Sequence, residues 1–116
     1  MIESYDFGKI EIMGDEYSHD IMIIDSNVKP WIRETAHDLY LKDLQKDVEE
    51  KDLNLCEILI VGTGYEGCIE VQNDLKKFCK KKKIELFIDR TIIAIEHFNS
   101  IVHSGKRVYA IFHVTC

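Results

Sequence analysis

Three glycines follow a run of aliphatic residues at Ile58–Val61. Gly62, Gly64 and Gly67 spell G-x-G-x-x-G, and Asp89 follows 22 residues after Gly67. That order is the dinucleotide fingerprint: a tight turn, close approach to a pyrophosphate, then an acid for the ribose. The chemistry also needs a helix opening at the loop, so that its free amides face the phosphates. Gln72-Asn73-Asp74 breaks the chain instead, and the next helix is expected over 74–82, preceded by a short extended stretch at 69–71. A nicotinamide or flavin dinucleotide is therefore disfavoured, and no cofactor is expected. There is no G-x-x-x-x-G-K-[ST], which disfavours a Walker-type NTPase.

A simpler anion site remains open at the same place. The amides of Gly62, Thr63 and Gly64 would face the ligand, with Arg33 or Arg90 attracting it. Arg107 reaches that end only if its strand is antiparallel to the glycine strand. A bulky residue at Gly64 would then remove ligand binding and leave the fold intact. The plain alternative is a turn that lets the backbone pack against a neighbouring segment.

Nucleophilic chemistry has one candidate, His113-Val114-Thr115-Cys116. In an extended chain residues 113 and 116 point to opposite faces, which disfavours a thiol–imidazole pair. The histidines at 19, 37, 97, 103 and 113 show no metal-ligand spacing, so no metal is expected. His97 is expected on the exposed side of its helix. The four cysteines (56, 68, 79, 116) form no C-x-x-C, and free, mostly buried thiols are the reading. No G-x-S-x-G elbow is present.

The elements that must position these residues follow from periodicity. Ile58–Val61 is apolar on both faces, as in the middle of a parallel sheet. Residues 84–88 and 107–113 are further strands, and 92–102 a helix capped by Thr91, with Ala94, Ile95, Phe98 and Ile101 inward and Gly105 closing it. Residues 55–116 thus read β-α-β-α-β. Residues 4–24 look like an antiparallel meander, so 1–27 form a β-rich unit. Residues 28–54 are a loop and a helix: 28–35 irregular, with Trp31 after Pro30 suited to plugging the edge of the core rather than binding a ligand, then one helix over 39–51 carrying Asp38–Lys42 and Lys46–Glu50 pairs. The fold class is α/β, a single three-layer domain with a central mixed sheet, flanking helices and N-terminal antiparallel strands.

The chain has 116 residues, enough for one self-sufficient core. Its net charge of −6 is the reverse of a duplex-DNA binder's, and the basic run 80–83 reads as a solvated helix end. No apolar run approaches the roughly 20 residues of a membrane helix, and residues 1–14 carry no apolar signal region. A cytoplasmic location is expected, with no nucleic acid and no membrane as partner; homo-oligomers are compatible with the sequence.

Taken together, Trp31-Ile32-Arg33, Ile58–Gly64, Thr91-x-x-Ala94 with Phe98-Asn99, and Gly105-Lys106-Arg107-Val108 leading to His113-Val114-Thr115-Cys116 resemble a known family. It is the small α/β domain family of the adipogenesis-associated Mth938-domain protein and a mitochondrial complex I assembly factor. The resemblance implies a three-layer fold whose mixed sheet has one strand antiparallel to the rest, plus an N-terminal β-rich element. It supplies no catalytic residue, and some relatives act as assembly or regulatory partners. Two functional readings follow. The first is a non-catalytic protein-interaction or assembly domain whose surface uses Trp31 and the loop beside it. The alternative is an anionic-metabolite or nucleotide binder at the glycine loop.

Overall fold

Strands form wherever the aliphatic runs are interrupted by turn residues. The computed structural model describes residues 1–32 and 37–116. β1 (Ile2–Asp6), β2 (Lys9–Ile12) and β3 (Asp15–Tyr17) make an antiparallel meander. β4 (Ile21–Ile24) does not belong to it, contrary to the expectation for residues 4–24. Its residues Ile21, Met22 and Ile23 are all buried, which suits the interior of a two-faced sheet rather than a meander with one wet side. Asp25 and Ser26 turn the chain with φ of +49° and +68°, the signs a two-residue hairpin requires. β5 (Asn27–Pro30) then returns beside β4, where an irregular loop was expected. Pro30 is accommodated because β5 is an edge strand.

The expected helix over 39–51 is divided. Asp38–Leu39 is a short strand, β6, and two short helices follow, α1 (Leu41–Gln45) and α2 (Glu50–Leu53). The Asp43 carboxylate accepts from the Tyr40 amide at 2.8 Å, which starts the first helix late. Asp38 accepts from Gln72 Nε2, and the Lys46 ammonium donates to the Ile32 carbonyl. Neither side chain is on one continuous helical face, so local charge spacing was outweighed by tertiary contacts.

The second half is as expected: β7 (Ile58–Gly62), a two-residue strand β8 (Glu70–Val71) paired with β6, α3 (Asn73–Lys82), β9 (Glu85–Asp89), α4 (Thr91–Ile101) and β10 (Val108–Phe112). Lys80–Lys83 lies exposed at the end of α3. The central sheet has the order β5-β4-β10-β7-β9. β10, β7 and β9 are parallel, and β4 alone opposes the others.

Period-2 alternation divides the core between the two faces of this sheet. Leu59, Val61, Tyr109, Ile111 and Met22 point to α1, α2 and α3, with Trp31, Leu44, Leu53 and Leu75. Ile58, Ile60, Ala110, Phe112, Ile21 and Ile23 point to α4 and the meander, with Ala94, Phe98, Ile10 and Ile12. Asn99 ties these last two layers together. Its amide accepts from the Ile2 N–H at 3.0 Å and donates to the Ile2 carbonyl at 2.9 Å.

Candidate functional site

The strand order places the glycine loop, the start of α4 and the segment after β10 at one edge of the sheet, the C-terminal edge of its parallel strands. No helix opens at Gly67; α3 begins only at Asn73, so the dinucleotide arrangement is not formed. The loop amides point elsewhere. Thr63 donates its N–H and its hydroxyl to the Asp89 carbonyl, at 2.9 and 3.0 Å. Gly64 donates to the Thr91 hydroxyl at 2.8 Å, and that hydroxyl donates to the His113 carbonyl at 2.6 Å. Thr91 is therefore not the N-cap of α4, a position held by Arg90; its buried hydroxyl joins three segments instead.

Beyond Gly64 the loop closes on the tail. The Tyr65 amide donates to the Thr115 carbonyl at 2.7 Å, and those of Glu66 and Cys68 donate to the Cys116 backbone oxygen at 3.3 and 3.0 Å. The glycine at 64 is what permits this approach. Its φ is +113°, and a Cβ there would stand 2.5 Å from the Cys116 carbonyl carbon and oxygen.

Held in this way, the tail gathers a polar cluster. His113 is buried, and its Nδ1 lies 2.8 Å from Asp20 Oδ2. The other Asp20 oxygen accepts from the Val114 amide at 2.9 Å. A hydrogen on Nδ1 shared with this carboxylate leaves Nε2 with its lone pair turned to the cluster. Thr115 Oγ1 lies 3.3 Å from that Nε2. His37 Nε2 is 3.6 Å from Cys116 Sγ, and the His37 and His113 rings meet edge to face at 6.1 Å. The pKa of the nearby Cys68 thiol is raised, first by desolvation and then by the Cys116 thiol. The expectation that residues 113 and 116 point apart does not hold. The strand ends at Phe112, and the tail turns so that the His37, His113 and Cys116 ligand atoms lie within 4.8 Å of one another. Sequence spacing missed His37, Asp20 and Cys68, because only the fold brings these distant segments together.

The remaining expected site residues are dispersed. Gly62, Thr63 and Gly64 do lie at the sheet edge, with the Arg90 side chain exposed beside Gly67. Arg33 lies outside the described residues. Arg107 sits at the opposite end, since β10 is parallel to β7, and its guanidinium pairs with Asp25 at 3.1 Å. It borders a cavity of about 110 Å³, lined also by Ile23, Phe98 and Val102, at the far end of the sheet from the glycines. Trp31 is only 3% exposed and belongs to the core, so it offers no surface; the neighbouring Ile32 is exposed. His97 is half-buried and stacks on Phe87 with centroids 4.0 Å apart, rather than lying free on the helix.

The cysteines form two classes. Cys56 and Cys79 are buried, and burial pushes their thiols up to about 12 and about 11. Cys68 is exposed and Cys116 partly so, which corrects the expectation of mostly buried thiols. An aromatic rim flanks the tail. Phe7 and Tyr65 meet edge to face at 5.8 Å, and the Tyr5 ring lies 6.4 Å from Tyr65. Tyr5 donates its hydroxyl to the Val114 carbonyl at 3.0 Å, and burial pushes its pKa up to about 12. No helix among the described residues is long and apolar enough to cross a membrane.

Comparison with known proteins places the fold among relatives. A family model described as a protein of unknown function (DUF498/DUF598) matches residues 2–113. The crystal structure of the conserved hypothetical protein PH1505 from Pyrococcus horikoshii OT3 is 30% identical, covers 100% of this chain and 99% of its own, and superposes with a TM-score of 0.88. A structure named MT938 is likewise 30% identical, with coverages of 100% and 98% and a TM-score of 0.79. A protein from Bartonella henselae described as an outer membrane protein has the same fold, at 23% identity, coverages of 99% and 94% and a TM-score of 0.80.

Proposed function

We propose, for a chain that belongs to the DUF498/DUF598 family, the role of a non-catalytic cytoplasmic domain that docks a partner protein through the rim formed by Phe7 and Tyr65. The observation that carries this reading is the exposure of the two rings, 55% for Phe7 and 49% for Tyr65, while they contact each other. Side-by-side aromatic rings left in water are the groups a partner covers most profitably, and such residues are enriched at interface centres. Both rings stand on fixed backbone. The Gly8 amide behind Phe7 donates to the Val114 carbonyl, and the Tyr65 amide donates to the Thr115 carbonyl, each at 2.7 Å. Little ordering would then be needed on docking. The net charge of −6 argues against a nucleic-acid partner.

The test places a photo-reactive phenylalanine analogue at position 65 and irradiates the protein in its native cytoplasm. A discrete adduct with another protein, lost when Phe7→Ala is added, supports the reading. A ladder of unselective adducts, an adduct indifferent to Phe7→Ala, or an adduct only with a second copy of this chain overturns it.

The anionic-ligand reading at Gly62, Thr63 and Gly64 with Arg90 is the weaker one. It requires the Thr63 and Gly64 amides to leave Asp89 and Thr91. An anion that raises the melting temperature of the parent protein but not of Arg90→Ala would support it; equal shifts in both would refute the assignment.

A further inference from the structure

We propose that His37, His113 and Cys116 form a binding site for a zinc-type transition-metal ion. Two imidazoles and a thiol are the donor set that borderline-soft divalent ions prefer, and hard cations such as magnesium and calcium do not. The spacing agrees. With metal–nitrogen bonds of about 2.0–2.1 Å and a metal–sulfur bond of about 2.3 Å, tetrahedral coordination sets the nitrogen and sulfur about 3.5 Å apart. His37 Nε2 and Cys116 Sγ stand at 3.6 Å, and all three donor atoms lie within 4.8 Å.

The surroundings are those of a supported site rather than a chance meeting of side chains. Asp20 holds His113 by Nδ1, which fixes the ring and directs Nε2 to the metal; ligating histidines commonly have such a carboxylate behind them. The same Asp20 accepts from the Val114 amide, so one carboxylate sets both the ring and the tail. The amides of Glu66 and Cys68 hold the backbone oxygen of Cys116 and thereby place its thiol. His37 is exposed and Cys116 half-buried, which leaves a path for the ion, while His113 forms the buried floor. Binding replaces the Cys116 S–H bond by a metal–sulfur bond and releases one proton to water. The Thr115 hydroxyl, 3.3 Å from His113 Nε2, turns aside to leave the lone pair to the metal. Water completes the tetrahedron, as in zinc sites with three protein ligands.

The site is tested with cobalt(II) added to tag-free protein kept reduced by a phosphine. The expected result is one equivalent bound, with a thiolate-to-cobalt charge-transfer band and tetrahedral ligand-field bands, all displaced by one equivalent of zinc. Cys116→Ser should abolish the charge-transfer band, and His37→Ala should weaken binding at least tenfold. His37 is exposed, so its removal tests the site even where a change at Cys116 loosens the tail. Absence of the bands, or bands that persist unchanged in His37→Ala and in Cys116→Ser, overturns the proposal.

Discussion

Gly64→Ala should be among the most damaging single-atom additions to this protein, although the residue lies in a loop rather than in a helix or strand. Two costs combine. At φ +113° an L side chain is strained, by about 1–3 kcal/mol. The new Cβ would also meet the Cys116 carbonyl at 2.5 Å and His113 Cδ2 at 2.8 Å, so the tail must move. Moving it breaks up to three backbone hydrogen bonds, from Tyr65, Glu66 and Cys68, each contributing about 0.5–1.5 kcal/mol. The expected loss is about 3–6 kcal/mol. Gly105→Ala separates the two costs. Its φ of +89° carries comparable strain, but nothing lies within 4 Å of the added carbon, so a loss of about 1–2 kcal/mol is expected. Urea unfolding of both variants, with m unchanged, measures the difference. Equal destabilisation by the two substitutions would refute the close approach of loop and tail. It would also revive the expectation that a larger residue at Gly64 leaves the fold intact.

Thr91→Val should cost about 2–4 kcal/mol in the same assay, because the Gly64 N–H loses its acceptor and the His113 carbonyl its donor in a buried place. Phe98→Ala should cost about 3–5 kcal/mol, since the ring is fully buried and packs edge to face on Phe112. A haloacetamide at neutral pH should label Cys68 and Cys116 and spare Cys56 and Cys79 until the protein unfolds, as peptide mapping would read. Those two buried thiols also set an alkaline limit. Their folded pKa values of about 12 and about 11 exceed the ordinary value of 9.0, so above pH 9 the unfolded chain holds fewer protons than the folded one. Stability is then complete below pH 9 and declines as pH rises toward 11–12; a Cys56→Ala/Cys79→Ala variant should show a shallower decline.

What the sequence makes legible here is whatever depends on local pattern. Ile58–Val61 is apolar at every position, and it is the buried strand beside the middle of the sheet. Ala94, Ile95 and Phe98 recur at helical spacing and face the core. The glycines announce a close backbone approach, but not the object approached. A phosphate and a returning tail make the same demand on residue 64, for a positive φ and no Cβ. The burial tendency of tryptophan points Trp31 to the core edge and the partner reading points it to the surface; Pro30 ends an edge strand, and the ring turns into the core. The polar cluster was out of reach. His37 and His113 are 76 residues apart, and Asp20 precedes an aliphatic strand with nothing nearby to mark it. Only the crossing of β4 beside β10 sets that carboxylate against that imidazole.

The position of β10 has a consequence for how the protein is made. Residues 108–112 lie between β4, from residues 21–24, and β7, from residues 58–62. During synthesis, both of those strands leave the ribosome with an unpaired backbone edge facing a gap that the chain has yet to fill. The pairs β4–β5 and β7–β9 need no later residue, but they join into one sheet only when β10 inserts between partners about 50 and 90 residues upstream. Contacts of such long range make folding slow, and waiting edges invite pairing with other nascent chains. A polypeptide halted before residue 108 would hold two strand pairs with nothing to join them, and its exposed β4 and β7 would mark it for a chaperone or a protease.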